Sequence, residues 1–507
     1  MIADDKTGYH EYMRMKGCEG ALPPQVCRDL NIDDLLDELD DTTSCVGRQY
    51  LYHTFCTDRV SEVVRHEEFV RSLSADTVRR EEIVRLLGTL SHSDAYSITG
   101  LLAEKGYRYS SRYLLLLQVC RWLPLCAVLW MIFIPSSIVP FVCLLVAYIV
   151  NGVLHFREKN KLTGYFFSVP QLRKLLKLAI RLAKDPGLDA IGGREVKPLS
   201  AGLGNLQKKL GLFRFGIGLE SEAAMLFYLF TELVNIFFLF STLNIVYSFI
   251  AIQDRKPDIE KAFCLVGRLD MLCSLSLLRE RLPYWCSPGT PSGVKLHVEE
   301  VYHPLIENCV PNDLTLTRRS ILITGSNMSG KTSFIRTIGI NLLAAKTLNT
   351  CFAKNFTIDC RLGLYSVIHT EDDLLEGKSY FFEEAERVKD SLERGAEGGY
   401  LFIFDELFKG TNGVERVAIN ASVFTDLATK GNLILASTHD LRLAELLESE
   451  YELYHFCETI SNQKLSFDYL LKPGVVKEGN AIKLLQLCGY PSEIIRSSTS
   501  LVSRLTS

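Results

Sequence analysis

The chain has 507 residues, 47% of them hydrophobic and 23% charged, which is ordinary for a folded protein; that length allows roughly two to four domains. Its net charge of −4 excludes a global basic field of the kind that draws a protein to nucleic acid, so any DNA contact must come from local patches. The 15 cysteines include no C-x-x-C pair and no Cys/His set at zinc spacing; they read as reduced thiols of a cytosolic compartment, many packed as small hydrophobes.

Residues 1–112 read as soluble and helical. The start, Met1-Ile2-Ala3-Asp4-Asp5, has no basic region followed by an apolar run, so no secretory signal is expected. Cys45 to Tyr52 and Glu81 to Leu87 have the spacing of amphipathic helices with solvated charged faces.

The composition then changes. No charged residue occurs from Trp122 to Phe156, and the run is broken by the turn-like Pro135-Ser136-Ser137-Ile138-Val139-Pro140. Two helices are predicted, near 114–134 and 139–156, each close to the roughly 20 residues that cross a bilayer. Arg108 and Arg112 precede the pair and Arg121 sits inside its first helix; Arg157, Lys159 and Lys161 follow it. Basic residues at both outer ends place both ends in the cytoplasm. Arg121 is near enough to its end to snorkel. A buried hairpin in a soluble core is the alternative, and the charge-free length favours the membrane.

Next, Leu172, Leu175, Leu176, Ala179 and Leu182 fall on one helical face, with Arg173, Lys174, Lys177, Arg181 and Lys184 on others. That basic face is solvated, or touches lipid headgroups or DNA phosphates. A second apolar stretch, Ala223 to Ile252, fits either a span or a long buried helix; Glu232 in mid-stretch favours the buried helix. Pro288 to Gly293 marks a boundary, after which strand–loop–helix units repeat.

Ser320 to Thr324 reads as a buried strand. It runs into Gly325-Ser326-Asn327-Met328-Ser329-Gly330-Lys331-Thr332, which fits G-x-x-x-x-G-K-[ST], and a helix-forming stretch opens at Ser333. The glycines let backbone N–H groups turn toward phosphates, and the helix N-terminus adds partial positive charge. Lys331 can neutralise the β/γ-phosphates of ATP, and Thr332 can hold Mg²⁺. A second strand, Leu401 to Phe404, ends at Asp405-Glu406, placing Asp405 to hold Mg²⁺ and Glu406 to polarise the attacking water. A third, Leu433 to Ala436, ends at Ser437-Thr438-His439, where His439 is suited to sense the γ-phosphate.

These segments resemble a known family. The loop Gly325 to Ser333 is similar to the G-P-N-M-x-G-K-S-T loop of MutS-type mismatch-repair ATPases, and its Asn327-Met328 pair is diagnostic among phosphate loops. His303-Pro304-Leu305, Pro311-Asn312-Asp313-Leu314, Asp372-Asp373-Leu374, Gly377-Lys378-Ser379-Tyr380-Phe381 with Glu384, Asp405 to Thr411 and Ser437-Thr438-His439 resemble further segments of that family. Weaker likenesses upstream are Gly47 to Leu51 and the helix Leu269 to Pro288.

The resemblance implies an α/β P-loop ATPase domain of ABC type, C-terminal to an all-α helical core or lever domain, here with a predicted transmembrane hairpin. It implies ATP and Mg²⁺ as cofactors and a homodimer in which Ser379 reaches the partner chain's γ-phosphate. The expected organisation is a helical core segment (1–112), the hairpin (113–156), a helical core or lever segment (157–290), the ATPase domain (291–475) and C-terminal dimer-bracing helices (476–507), which take in Gly479-Asn480-Ala481 and Gly489 to Ile495. The chain departs from the family pattern in Thr332, Lys378 and Asn412, and its first residues resemble the helical core rather than a mismatch-reading domain with a Phe-x-Glu wedge, so mismatch reading is not expected. The expected function is an ATP-hydrolysing protein on the cytoplasmic side of the membrane that acts on DNA by dimer closure. Two alternatives stay open: a soluble DNA-binding ATPase with the hairpin as core, and a membrane-linked ABC-type ATPase with no DNA role. A transporter's energising half fits less well, with one hairpin and no L-S-G-G-Q segment; a scaffold without turnover is disfavoured by Glu406 and His439.

Overall fold

The computed structural model describes every residue except 1–4, 19, 105–108, 135, 163–167, 212–221, 318, 327–328, 369–379, 462–463, 476–481, 483–484, 487–488 and 506–507. Its chain forms two compact units, one made of Met1–Glu19, Asp41–His53 and Glu68–Leu277, the other of Gly20–Asp40, Thr54–Glu67 and Leu278–Ser507.

The first unit is helical. Helix Cys45–Phe55 starts where the buried Asp270 carboxylate accepts the N–H groups of Thr43 (3.0 Å) and Ser44 (2.7 Å) and the Ser44 hydroxyl (2.5 Å), which satisfies donors a helix start leaves open. Gly47 lets the two elements meet: a Cβ there would lie 2.1 Å from Asp270 Oδ2. The expected hairpin is present as helices Ser111–Phe133 and Val139–Leu162. Both are long and apolar enough to cross a membrane, with only 22% and 28% of their most apolar windows buried. At 1.5 Å per residue the first is about 34 Å long. Trp122, Phe133, Phe141, Ile149 and Val153 face outward. The polar residues Asn151, His155 and Glu158 are buried instead.

The second apolar stretch corrects the sequence reading. It is not one long buried helix but two, Glu222–Phe238 and Phe240–Asp254, with the described part bent by 69°. Leu239 sits at the bend with a left-handed φ of 48°. Asn151 Nδ2 donates to the Phe237 carbonyl at 3.0 Å, the acceptor that a continuous helix would give to the Ser241 N–H. Phe230, Leu233 and Phe240 are exposed. Arg121 does not snorkel freely; its guanidinium stacks over the rings of Trp122 and Phe240.

The second unit is α/β. Its strands are β1 (Leu296–Val301), β2 (Asn312–Leu316), β3 (Ser320–Thr324), β4 (Asn355–Ile358), β5 (Gly363–Val367), β6 (Tyr400–Asp405), β7 (Leu433–Thr438), β8 (Tyr451–His455), β9 (Glu458–Ser461), β10 (Lys464–Phe467) and β11 (Lys472–Pro473). The main sheet has the order β11-β8-β3-β7-β6-β5, parallel from β8 to β5 with β11 antiparallel at the edge. β3 and β7 are buried along their whole length, as strands covered on both faces must be. β2-β1-β4 form a smaller antiparallel sheet.

Two pieces of the N-terminal stretch are built into this unit, so a linear division at residue 290 does not describe it. Asp58 pairs with the buried Lys346 and accepts the Leu364 N–H at 3.0 Å. Asp29, 1% exposed, pairs with Arg387 and accepts from Ser366 Oγ (2.8 Å) and the Ile368 N–H (3.1 Å). The expected boundary at Pro288–Gly293 is likewise tied in, with the Gly289 N–H donating to Phe356 O at 2.8 Å.

Candidate nucleotide site

The phosphate loop follows β3 and leads into helix Lys331–Leu348. Gly325 has φ 148° and packs so tightly that a Cβ would lie 2.5 Å from Phe456 O. Gly330 has φ 106° at the helix N-cap. Both positions demand glycine. Ser329 Oγ donates back to Ser326 O at 2.7 Å and closes the turn, while Ser326 Oγ donates to Glu458 Oε2 at 2.5 Å. Ser333 lies in the first turn of the helix and lines the cleft. Asn327, Met328, Ser379 and the Asp372–Lys378 stretch lie outside the described residues, as do Gly479-Asn480-Ala481.

Lys331 is 4% exposed; its Nζ donates to Gly325 O (2.7 Å) and Ser326 O (2.8 Å) and lies 3.4 Å from Glu406 Oε1. Burial lowers its pKa, and the Glu406 charge opposes that shift. Thr332 Oγ1 donates to Asp405 Oδ2 at 2.8 Å, and Ser437 Oγ donates to Asp405 Oδ1. Parallel pairing of β6 with β7 sets that contact, because Asp405 and Ser437 are direct register partners.

Glu406 is held between three nitrogen groups: Lys331, Lys409 Nζ at 2.5 Å and His439 Nδ1 at 3.3 Å. Burial alone would raise its pKa. Hydrogen bonds from His439 and Lys409 and the charges of Lys331 and Lys409 outweigh burial and hold the carboxyl well below the usual carboxylate range. Its backbone has φ 48° and that of Phe408 φ 59°, two left-handed non-glycine residues in one short loop. The loop is braced by Asn420 Nδ2 donating to Leu407 O at 3.3 Å and by Glu384, which accepts the Phe408 N–H and whose own pKa is raised by burial. After His439, Asp440 accepts the Arg442 N–H (3.1 Å) and pairs with Arg416 (3.2 Å), which fixes the end of β7.

The expected residues Lys331, Thr332, Asp405, Glu406 and His439 therefore meet at the carboxyl ends of three neighbouring strands, where parallel α/β sheets hold ligands. Beside them is a cleft of about 650 Å³ with Ile306, Val310, Phe456 and Tyr469 on its apolar wall, a lining suited to a flat base. Sequence reasoning named Asn312 only as part of a motif. Its side chain donates to Tyr469 O (3.0 Å) and accepts the Leu471 N–H (2.7 Å), holding the Tyr469 segment in place. Lys409, Phe456 and Tyr469 also line the cleft; Lys409 carries a signal in the sequence, standing three residues after Glu406, and the two aromatics carry none.

The oxygen donors fit Mg²⁺. An octahedral ion with bonds of about 2.0–2.1 Å has adjacent oxygens roughly 3 Å apart, close to the 2.8 Å between Thr332 Oγ1 and Asp405 Oδ2.

Residues 321–506 match the family model for MutS domain V. The chain is 32% identical over 250 residues to a DNA mismatch repair protein MutS of Aquifex pyrophilus, covering 48% of this chain and 29% of that protein. Proteins of the same description from Lactobacillus delbrueckii subsp. bulgaricus (28% over 266 residues; 50% of this chain, 31% of the relative) and Thermus thermophilus (26% over 264; 51% and 32%) are also similar. These matches support the MutS family. The chain spans 29–32% of the length of these curated MutS relatives. The MutS domain V match takes in the phosphate loop, Asp405-Glu406 and His439, but neither the helical hairpin nor the bent pair.

Proposed function

We propose that the chain is a membrane-tethered, MutS-like ATPase that uses ATP-driven closure of a homodimer to act on DNA, with its ATPase domain on the cytoplasmic side. The observation that carries the ATPase reading is the convergence of Lys331, Thr332, Asp405 and Glu406 on one cleft, with His439 against Glu406. The loop from Gly325 to Ser333 cradles the phosphates, and Lys331 neutralises their charge. Thr332 and Asp405 would hold Mg²⁺, which would supply positive charge against the phosphates. Glu406, kept ionised by its neighbours, orients and polarises water rather than acting as a strong base. His439 senses the γ-phosphate. Ser379 completes the site of the partner chain in a homodimer.

The membrane part is supported by the outward-facing apolar residues of the hairpin and its basic ends. The DNA part is supported by the description of the relatives alone. Replacing Glu406 by Gln tests the ATPase reading: ATP still binds and turnover is lost, whereas unchanged turnover removes Glu406 from the mechanism. DNA binding tests the remainder, with affinity falling linearly on a logarithmic salt scale as phosphate contacts release counterions. If neither duplex nor branched DNA binds at low salt, the membrane-linked ATPase with no DNA role takes its place.

A further inference from the structure

The bent pair of helices, residues 230–254, has two kinds of surface. One side packs on the hairpin through Leu239, Leu243 and Val246, which form a buried cluster with Leu117, Cys120 and Leu154. The other presents Phe230, Leu233, Phe240 and Tyr247, each more than 40% exposed. Water-facing helices do not carry such a row.

The level of the contacts along the hairpin is informative. Near the hairpin's basic ends, Glu232 pairs with Lys159 and lies 3.3 Å from His155 Nε2. Thr242 Oγ1 is 2.9 Å from His155 Nδ1, and Gln118 Nε2 donates to Tyr247 OH at 2.6 Å. Farther along, Asn151 Nδ2 bridges Cys120 O (3.2 Å) and Phe237 O (3.0 Å) beside the bend. Cys120 is nine residues from Ser111 and Asn151 eleven from Leu162, or about 14 and 16 Å along the helices. Half of a hydrocarbon core of about 30 Å is roughly the same distance.

The end of the bent pair also has a contact outside the hairpin. Arg255, at its end, packs on Gly202 of helix Ser200–Leu210, which precedes it in the chain; a Cβ on Gly202 would lie 2.1 Å from Arg255 Nη1.

We propose that residues 230–254 form a re-entrant wedge in the lipid leaflet at the hairpin's basic ends, with Leu239 at a tip near the bilayer mid-plane. The proposal rests on the membrane reading of the hairpin. Acyl chains cover Phe230, Leu233 and the part of Phe240 that Arg121 leaves open. Glu232 is tolerated because Lys159 neutralises it and His155 Nε2 lies beside it, and the carbonyl released at the bend is taken by Asn151.

Site-resolved labelling of the full chain in sealed membrane vesicles tests this, using a membrane-impermeant maleimide read out by peptide mass spectrometry. The variants are Lys209→Cys, Asp254→Cys, Phe240→Cys and Ser136→Cys. The expected result is labelling of positions 209 and 254 from one face, labelling of 136 from the other, and loss of labelling at 240. Labelling of 209 and 254 from opposite faces makes the segment a span and overturns the proposal. Ready labelling of 240 from the face that labels 209, with 136 still opposite, puts the pair in water and overturns it while leaving the hairpin intact. Labelling of 136 from the same face as 209 defeats the hairpin reading itself.

Discussion

The α/β unit and the helical hairpin are built inside out relative to each other. In the α/β unit the strands bury Ile321, Phe402, Phe404 and Leu435, and polar groups gather at strand ends around the cleft. In the hairpin the buried positions include the polar Asn151, His155 and Glu158 beside the apolar Leu117, Cys120 and Leu154, and Glu158 accepts from the hydroxyls of Tyr109 (2.8 Å) and Tyr113 (2.7 Å), while Trp122, Phe133 and Val153 point away from the protein. The first pattern is the response of a chain to water. The second makes sense where the surrounding medium is apolar and polar groups must find partners inside the protein. In the proposed function the same chain meets two solvents, and each expected outcome below breaks or sharpens that contrast.

The largest effect is expected at the cleft. Glu406→Gln keeps ATP binding and lowers turnover by about 10²- to 10⁴-fold, the range for loss of a positioned acid–base group. Steady-state turnover with a parallel nucleotide-binding measurement checks it, and a full-rate variant would leave the site without its proposed water-polarising group. Asp29→Ala should follow. It strips the partner from Arg387 inside the α/β unit, and breaking a buried pair costs about 3–5 kcal/mol. The unfolding transition of that unit should move to lower denaturant; an unmoved transition would mean that the N-terminal segment is not part of its core.

Those two sites differ in how far the sequence exposed them. The phosphate loop and Asp405-Glu406 were legible because buried parallel strands are short apolar runs and the functional groups stand directly at their ends. Asp29 was not, because its partners Ser366, Ile368 and Arg387 are more than 300 residues away and nothing local marks it. The hairpin was legible from its charge-free length and basic ends. The break at Leu239 was not, because leucine favours helix, and the contact associated with the break comes from Asn151 on another helix. Phe456 and Tyr469 look like ordinary core aromatics until the fold places them at the cleft.

The next outcome separates the two solvents. Ile149 lies midway along the second hairpin helix and is 57% exposed. Ile149→Arg on a lipid-facing surface costs about 2.5–3.5 kcal/mol of insertion free energy, so the membrane-inserted fraction should fall. On a water-facing surface the same change would be nearly neutral, and unchanged insertion would break the contrast.

The smallest effect concerns acid. Burial, with the charge of Arg336, lowers His303 to about 4, and burial lowers His10 and His53 of the helical unit to about 4 as well, with Arg14 and His10 respectively contributing. An unfolded histidine titrates near 6.5. Between the two values the unfolded chain binds protons that the folded chain refuses, so stability from these residues is full above about 6.5 and declines as pH falls to about 4. Denaturant midpoints followed across that window should fall with pH, and His303→Gln should flatten the dependence of the α/β unit alone.

The contrast between the two regions is tested most directly by fractionating cells that express the full chain. The account places the protein in the membrane pellet, retained through a high-salt and alkaline wash and released only by detergent. Recovery in the soluble fraction without detergent would contradict it, since the outward row from Trp122 to Val153 would then be facing water.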